Sequence, residues 1–444
     1  MKQIYSKLFI LLLAVLVTTT TFITQPLTTH AAGLELDAES AILVDAQTGK
    51  VLYAKDPDIA LPPASMTKMM TEYLVLEAIE EGNITWETKT QINDYPYSIS
   101  ANKEFSGIGL TQDKQYTVKE LYEAMAIFSD NGTTIALAEL IAGSEGEFVK
   151  LMNQKADEMG LPDATFVNST GLENSSLGDN YPEGTDPDGS NLLSARSLAL
   201  LAYNLVNDFP HALDISSRIE DDFEGYTVEN LNWMLPHEAS YLKQYYYEGI
   251  DGLKTGYTGL AGYTFTGTAE RDGRRLISVV MRTESKEARF EQTAILMDYG
   301  FNQFETKELF PAGYQLEDQK TLPVAKGKED TVEISISEGF TVPIAKGEEE
   351  QYSIAYKIDK DLLNEDGELV APIKKGEKIG TAELVYNGED NFGYIFNAEH
   401  LNVDIVADES VEKSNWFMLA LGAIGDFFSG IFSSIVDTVK GWFS

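Results

Sequence analysis

The sequence predicts a mixed α/β (α+β) domain, built from an antiparallel sheet and a helical cluster, followed by a small all-β, sandwich-like domain and a C-terminal amphipathic helix. Three observations carry this expectation. Strand-like runs open and close the first part of the chain, with helical periodicity between them. Residues 306–408 are strand-like throughout. The final segment places its polar residues on one helical face. At 444 residues the chain is long for one domain, and two fit better.

The elements follow in order. Residues 1–32 carry Lys2 and Lys7, the apolar run Leu8 to Val17, and then Thr29-His30-Ala31-Ala32. That order of charge, apolar core and small residues is a secretory signal peptide. The apolar run is short for a bilayer span, which needs about 20 residues. Cleavage is expected after Ala31 or Ala32, with the folded domain covering 33–305. Ala41 to Val44 and Lys50 to Tyr53 read as a hairpin, and Leu61-Pro62-Pro63 interrupts regular structure. A helix is expected from about Ser65, with Met69, Met70, Tyr73, Leu74, Leu76 and Ile79 as apolar positions and Gly82 as its stop. Thr117 and Glu120 form a capping-box pair before a helix that halts near Ser129. Thr133 to Ala142 restarts one, the polar stretch Asn168 to Asn191 reads as loops, and Ala195 to Val206 reads as a helix. Gly262 to Glu270 and Arg274 to Arg282 pair around Asp272-Gly273, and Lys286 to Tyr299 closes the domain as a helix.

The second domain, 306–408, shows a loose echo: Pro323-Val324-Ala325-Lys326-Gly327, Pro343-Ile344-Ala345-Lys346-Gly347 and Pro372-Ile373-Lys374-Lys375-Gly376. These read as recurring strand-turn corners of a β-sandwich. No catalytic constellation is visible there, and a spacer role is expected. The segment 409–444 reads as an amphipathic helix from about Val411. Gly422, Asp426, Ser429, Ser433, Asp437 and Lys440 share one face, and Trp416, Phe417, Phe427, Phe428, Phe432 and Trp442 help fill the rest. A wide aromatic face with a thin polar stripe suits a membrane interface, and Asp426 and Asp437 oppose a spanning arrangement. A helix docked on the protein's own core is the alternative.

Composition narrows the chemistry. The 71 acidic and 33 basic residues give a net charge of −38, which disfavours binding to a phosphate backbone. No cysteine is present, so disulfides, thiolate metal sites and cysteine nucleophiles are excluded. The four histidines form no metal-binding spacing. Three motifs stand out: Ser65-Met66-Thr67-Lys68, Ser129-Asp130-Asn131 and Lys254-Thr255-Gly256. Each alone has a bland reading, as a capped helix, a helix end and a strand edge. Together, in this order, they are the signature of enzymes that acylate a serine and move its proton with a lysine. Lys68 lies one helical turn after Ser65, on the same face. A lysine serves as base if burial and nearby positive charge hold its amine neutral. A histidine base remains possible, since such groups assemble in space.

On these motifs, with Ala64 before Ser65, the β-rich domain and the amphipathic tail, the chain resembles the low-molecular-mass penicillin-binding proteins that act as serine-type D-alanyl-D-alanine carboxypeptidases. The layout is similar to the Bacillus-type enzymes of this peptidase S11 family. The resemblance implies a β-lactamase/transpeptidase-like catalytic domain and a peptidoglycan stem peptide ending in D-Ala-D-Ala as substrate. It implies Ser65 as nucleophile, Lys68 as general base, and Ser129 and Asn131 as proton-relay and substrate-positioning groups. It further implies that Lys254, Thr255 and Arg289 receive the terminal carboxylate. Gly256 would admit the substrate, and the amides of Ser65 and Tyr257 would form the oxyanion hole. β-Lactam antibiotics would acylate the same serine, and no metal or organic cofactor is needed. The expected location is the extracytoplasmic face of the cell membrane, held peripherally by the C-terminal helix.

Two alternatives stand beside this reading. Ser-Asp-Asn is also the class A β-lactamase spelling, but neither Glu173 nor Glu183 begins the Glu-x-x-Leu-Asn pattern expected there. The second is a catalytically silent, membrane-tethered wall-binding protein.

Overall fold

Alternation of apolar residues gives the first domain a sheet with two buried faces. The computed structural model describes residues 34–161, 163–388, 391–396 and 401–414. Strands β1 (Ser40–Asp45) and β2 (Val51–Lys55) form the expected hairpin. The small antiparallel pairs β3 (Lys89–Gln91) with β4 (Gln115–Thr117), and β5 (Glu220–Phe223) with β6 (Tyr226–Glu229), lie apart from the main sheet. The hairpin β1–β2 joins β7 (Ile250–Thr258), β8 (Gly262–Arg271) and β9 (Arg274–Thr283) in a five-stranded antiparallel sheet of order β2-β1-β9-β8-β7. Strand β7 is therefore an edge strand.

Side chains alternate across this sheet. Ile42, Val44, Ile277, Val279 and Met281 face a helical cluster and share one core with it. The cluster contains α1 (Lys68–Glu80), α2 (Asp94–Ala101), α3 (Val118–Glu123), α4 (Asn131–Ala142), α5 (Glu145–Met159), α6 (Ala195–Asp208) and the short α7 (Ala212–Ser216). Leu43 and Leu276 point the other way, against Gly300 of α8 (Lys286–Gln303). Phe290 of α8 also meets Phe265 of β8 edge-on at 5.4 Å. The sheet is thus covered on both faces, and the site lies where the cluster meets its β7 edge.

The sequence-based boundaries hold where local chemistry sets them. Thr117 and Glu120 make both bonds of the capping box at the start of α3. The helix expected from Ser65 begins as a 3-10 turn, Ala64–Thr67, and becomes α-helical at Lys68.

The second domain is all-β. Strand β10 (Phe304–Phe310) pairs with β13 (Phe340–Ala345). The remaining strands are β11 (Thr321–Ala325), β12 (Thr331–Ile336), β14 (Tyr352–Ile358), β15 (Leu369–Val370), β16 (Lys378–Tyr386) and β17 (Val403–Ala407). They form a six-stranded sheet of order β14-β16-β17-β12-β11-β15. Its core holds Val332, Ile334, Ile336, Ile379, Ile405 and Val411. Two of the echoed pentapeptides leave a strand at once, β11 ending at Ala325 and β13 at Ala345, and the third turns at Gly376 after Ile373 bridges Val411. Val411 and Lys413 still make β-bridges, to Ile373 and Gly327, so the chain stays within this domain beyond 408. The expected signal peptide and all but the first residues of the expected amphipathic helix lie outside the described residues. Among the described residues no helix is long and apolar enough to cross a membrane.

The candidate active site

Ser65 is placed by a turn that tolerates little change. Pro62 and Pro63 end the preceding strand-like segment, and Ala64 adopts φ +49°, a conformation uncommon for a residue with a side chain. The turn then lies across β7 and β8. Thr264 Oγ1 donates to the Pro63 carbonyl at 3.3 Å, and a side chain at Gly256 would meet that same oxygen at 2.6 Å. Gly256 is therefore a site of close approach. A Gly256→Ala substitution is expected to cost about 1–3 kcal/mol of stability through overpacking. It should also lower kcat/KM about 100-fold by moving the Ser65 turn on the order of 1 Å. Melting temperature and steady-state kinetics together check this.

Lys68 is fully buried, at 0 % exposure. Its Nζ lies 3.0 Å from Ser65 Oγ, 2.8 Å from Asn131 Oδ1 and 3.0 Å from the Thr170 carbonyl oxygen. Burial, followed by the nearby charge of Lys254, holds the amine well below the usual lysine range, while Asp130 and Glu72 pull it back up. Two of the three partners can only accept. A neutral amine has two N–H bonds and one lone pair. If Asn131 and Thr170 take the two N–H bonds, the lone pair faces Ser65 Oγ.

The second triplet is shaped by an interruption of the helix. After α3 the chain makes a π-helical turn, Ala124–Phe128, which ends with Ser129 in the left-handed region at φ +67°. Such turns and such strain concentrate at functional sites. Ser129 is 1 % exposed, and its Oγ has no hydrogen-bond partner among the described residues. Asp130 caps α4 by accepting from Thr133 N, and it also accepts from Ile108 N at 2.7 Å and Ser100 Oγ at 3.0 Å. It is thus the brace of the triplet. Asn131 donates from Nδ2 to the Ser106 carbonyl at 3.0 Å, which turns its Oδ1 to Lys68.

The third triplet lies on the edge strand. Lys254 and Thr255 are buried. Among the described residues Lys254 Nζ reaches only the Thr255 carbonyl, at 3.4 Å. Burial lowers its pKa to about 8, with Glu72 raising it and Arg289 lowering it. Arg289, in the first turn of α8, donates from Nη1 to the Gly256 carbonyl at 3.1 Å, and its Nε has no partner among the described residues. Burial brings its guanidinium down to about 10. Tyr257 is 54 % exposed at the rim, its ring stacked on Tyr263 at 4.3 Å between centroids. The structure therefore brings Ser65, Lys68, Asn131, Lys254, Thr255, Gly256 and Arg289 to one edge of the sheet.

Most of this chain matches known proteins. Residues 25–285 match the peptidase S11 model, D-alanyl-D-alanine carboxypeptidase, and residues 304–413 match the C-terminal domain of penicillin-binding protein 5. The chain belongs to the S11 D-alanyl-D-alanine carboxypeptidase family. It is 33% identical over 393 residues to D-alanyl-D-alanine carboxypeptidase DacF of Bacillus subtilis, covering 88% of this chain and 90% of the relative. Among solved structures it resembles PBP3 of Streptococcus pneumoniae, a peptidoglycan synthesis regulatory factor, at TM-score 0.67 and 38% identity, over 85% of this chain and 100% of that one. It also resembles ampicillin-bound penicillin-binding protein D2 of Listeria monocytogenes, at TM-score 0.51 and 32% identity, over 61% of this chain and 99% of that one.

Within this S11 chain two contributors escape the motifs. One is the carbonyl of Thr170. It sits in a loop wound around Asn168, whose Oδ1 accepts from Thr170 N at 3.1 Å and Gly171 N at 2.7 Å. Glu145 fixes the neighbouring Ser169 through N at 2.9 Å and Oγ at 2.5 Å. Gly171, at φ +87°, lies directly under the Ala64 carbonyl, 1.8 Å from where a side chain would begin. The other is Glu72, a buried carboxylate four residues after Lys68 on α1. Among the described residues no carboxylate is a hydrogen-bond partner of Ser65 or Lys68. The described histidines sit elsewhere: His237 Nε2 lies 2.8 Å from the Asn232 carbonyl, and His211 precedes α7. Among the described residues no cluster of three or more His, Asp or Glu side chains is arranged to hold a metal ion.

Proposed function

We propose that this S11 enzyme removes the terminal D-alanine of peptidoglycan stem peptides through an acyl-enzyme on Ser65. One observation carries the reading: a buried lysine amine whose two accept-only partners leave its lone pair to the Ser65 hydroxyl. Lys68 takes the Ser65 proton as Oγ attacks the penultimate carbonyl. The tetrahedral oxygen receives the backbone amides of Ser65 and Tyr257, donors aimed at charge that develops only in the transition state. The leaving amine gains its proton through the Ser129 hydroxyl, whose freedom from other partners suits a relay. Water then hydrolyses the ester and frees Ser65.

Substrate geometry follows from the sheet. The outer edge of β7 suits an extended peptide laid alongside it as an added strand. In that pose the terminal carboxylate meets Lys254, the Thr255 hydroxyl and Arg289. Asn131, tied to both Lys68 and the Ser106 carbonyl, stands beside the penultimate residue. A β-lactam places its own carboxylate and carbonyl in the same positions. Incubation with labelled penicillin tests this reading: a long-lived adduct on Ser65 supports the carboxypeptidase, whereas rapid turnover without accumulation favours a β-lactamase.

The domain plan proposed is a signal peptide over 1–32, the catalytic domain over 33–305, the β domain from 306, and an amphipathic helix in the C-terminal tail. The tail holds the exported enzyme peripherally on the outer face of the membrane, with the β domain as spacer. Truncation after Ser414 is expected to release a soluble enzyme that retains its kcat/KM within about twofold. Retention of the mature truncated form by membranes, in a flotation assay, would contradict the tail's role.

A further inference from the structure

We propose that Glu145 is a positioning residue for acylation: from helix α5 it holds Ser169, so that the adjoining Thr170 carbonyl takes one N–H of Lys68. The proposal rests on the reading above, in which Lys68 removes the Ser65 proton. It concerns a residue that lies outside all three motifs.

Two partners of the Lys68 amine are motif side chains, Ser65 and Asn131. The third, the Thr170 carbonyl, comes from a segment without regular structure. Such a segment has to be shaped and then placed. Its shape is internal: Asn168 Oδ1 accepts from Thr170 N at 3.1 Å, Thr170 Oγ1 at 3.1 Å and Gly171 N at 2.7 Å. Those bonds travel with the loop and do not fix its distance from Lys68. Placement needs bonds to other elements.

Three side chains supply them. Thr71, one helical turn after Lys68 on α1, donates from Oγ1 to the Ser169 carbonyl at 2.9 Å. Asn191 Nδ2 bridges the Asn168 carbonyl at 3.1 Å and Thr67 Oγ1 at 2.9 Å. Glu145 takes the remaining groups of Ser169, its Oε1 accepting from Ser169 N at 2.9 Å and from Ser169 Oγ at 2.5 Å. Ser169 is thereby held by its amide, its hydroxyl and its carbonyl. The next carbonyl along the chain is the one that meets Lys68 Nζ at 3.0 Å. Glu145 is fixed in turn, because its Oε2 accepts from the Tyr95 hydroxyl on α2 at 2.9 Å. The carboxylate is buried, and all three of these donors are neutral. Its place in the first turn of α5 helps to offset the cost of burying an anion.

Position, not charge, is what Glu145 supplies. A glutamine there still accepts from Ser169 through its amide oxygen, and the Tyr95 hydroxyl can turn to accept from its amide nitrogen. An alanine leaves Ser169 N–H and Oγ without their acceptor. The Thr170 carbonyl then drifts, and the Lys68 lone pair is no longer directed at Ser65 Oγ. A misplacement on the order of 1 Å costs about 100-fold in rate. Binding should be spared, because the proposed carboxylate receptor is built on β7 and α8.

Stopped-flow acylation by a chromogenic β-lactam, which separates the limiting acylation rate from the noncovalent Kd, tests this. Glu145→Ala should lower the limiting rate at least tenfold while Kd stays within threefold of the parent. Glu145→Gln should keep the rate within threefold. Thr71→Val, which removes the second anchor of Ser169 at nearly constant shape, should lower the rate at least threefold with Kd unmoved. A smaller loss in Glu145→Ala overturns the proposal, and so does a Kd that weakens in step with the rate, since that marks general loosening of the cleft. An equal loss in Glu145→Gln also overturns it, by assigning the effect to charge. If melting curves show that Glu145→Ala does not fold, Thr71→Val and Glu145→Gln decide by the same limits. Failure of the unmodified enzyme to form an adduct on Ser65 would instead overturn the function on which the proposal rests.

Discussion

Replacing Ser65 with alanine is expected to abolish both D-alanine release and covalent labelling by penicillin, a loss of about 10⁴-fold or more in kcat. The substitution removes one oxygen and little else. Neighbouring Met66 and Thr67 are buried and anchored independently, Met66 against Thr266 Oγ1 at 3.2 Å and Thr67 by Asn191 Nδ2 at 2.9 Å. The fold is therefore expected to survive, and a matched melting curve shows whether it has. Non-covalent binding of a D-Ala-D-Ala ligand should also survive, because the proposed carboxylate receptor on β7 and α8 is untouched. Release of D-alanine at more than about a hundredth of the parent rate would mean that the nucleophile lies elsewhere.

Lys68→Arg is expected to be nearly as damaging, with acylation slowed about 10³-fold. General-base catalysis contributes typically 10²–10⁴-fold. A guanidinium keeps its proton throughout the accessible pH range. The planar fork also cannot reproduce three contacts set around one nitrogen, at 3.0, 2.8 and 3.0 Å. The pH profile separates this from simple misfolding. In the parent enzyme Lys68 must be unprotonated to act, so acylation rises with pH through its pKa. Burial and Lys254 place that limb well below the usual lysine range. In Lys68→Arg the limb should vanish and the residual rate should not recover at high pH. Stopped-flow acylation with a chromogenic β-lactam measures both. Acylation by the variant within threefold of the parent would remove Lys68 from the proton path.

Much of this site was legible because motif residues act through identities that sequence displays. Ser65, Lys68, Asn131 and Lys254 contribute side-chain atoms, and their spacing follows from one helical turn, one helix break and one edge strand. The Thr170 carbonyl shows the opposite case. Any residue supplies a carbonyl, so only the fold reveals which one turns toward Lys68, and the Asn- and Gly-rich stretch around it reads simply as loop. Glu72 left a usable signal, a lone carboxylate within the largely buried run Lys68 to Leu76. At the level of the fold, the hairpin, the capping box and the Asp272-Gly273 turn are local devices and were readable. The pairing of β3 with β4 joins distant segments and was not. The helix Glu145–Met159 is missing from the sequence-based elements although Ser144 and Gly160 cap it. Its buried face is thin, with Phe148, Val149, Met152 and Ala156 set among mostly polar residues. In the second domain the all-β character was legible from composition and echo. The strand order β14-β16-β17-β12-β11-β15 was not, because it depends on crossovers between remote strands.

The central claim is that Ser65, served by Lys68, removes one residue from a D-Ala-D-Ala terminus. Mass spectrometry of a stem pentapeptide incubated with the purified enzyme tests it most directly. The expected result is a single product lighter by one alanine, free D-alanine in equal amount, and no product when Ser65 is alanine. An unchanged pentapeptide, or the same product from Ser65→Ala, would contradict it.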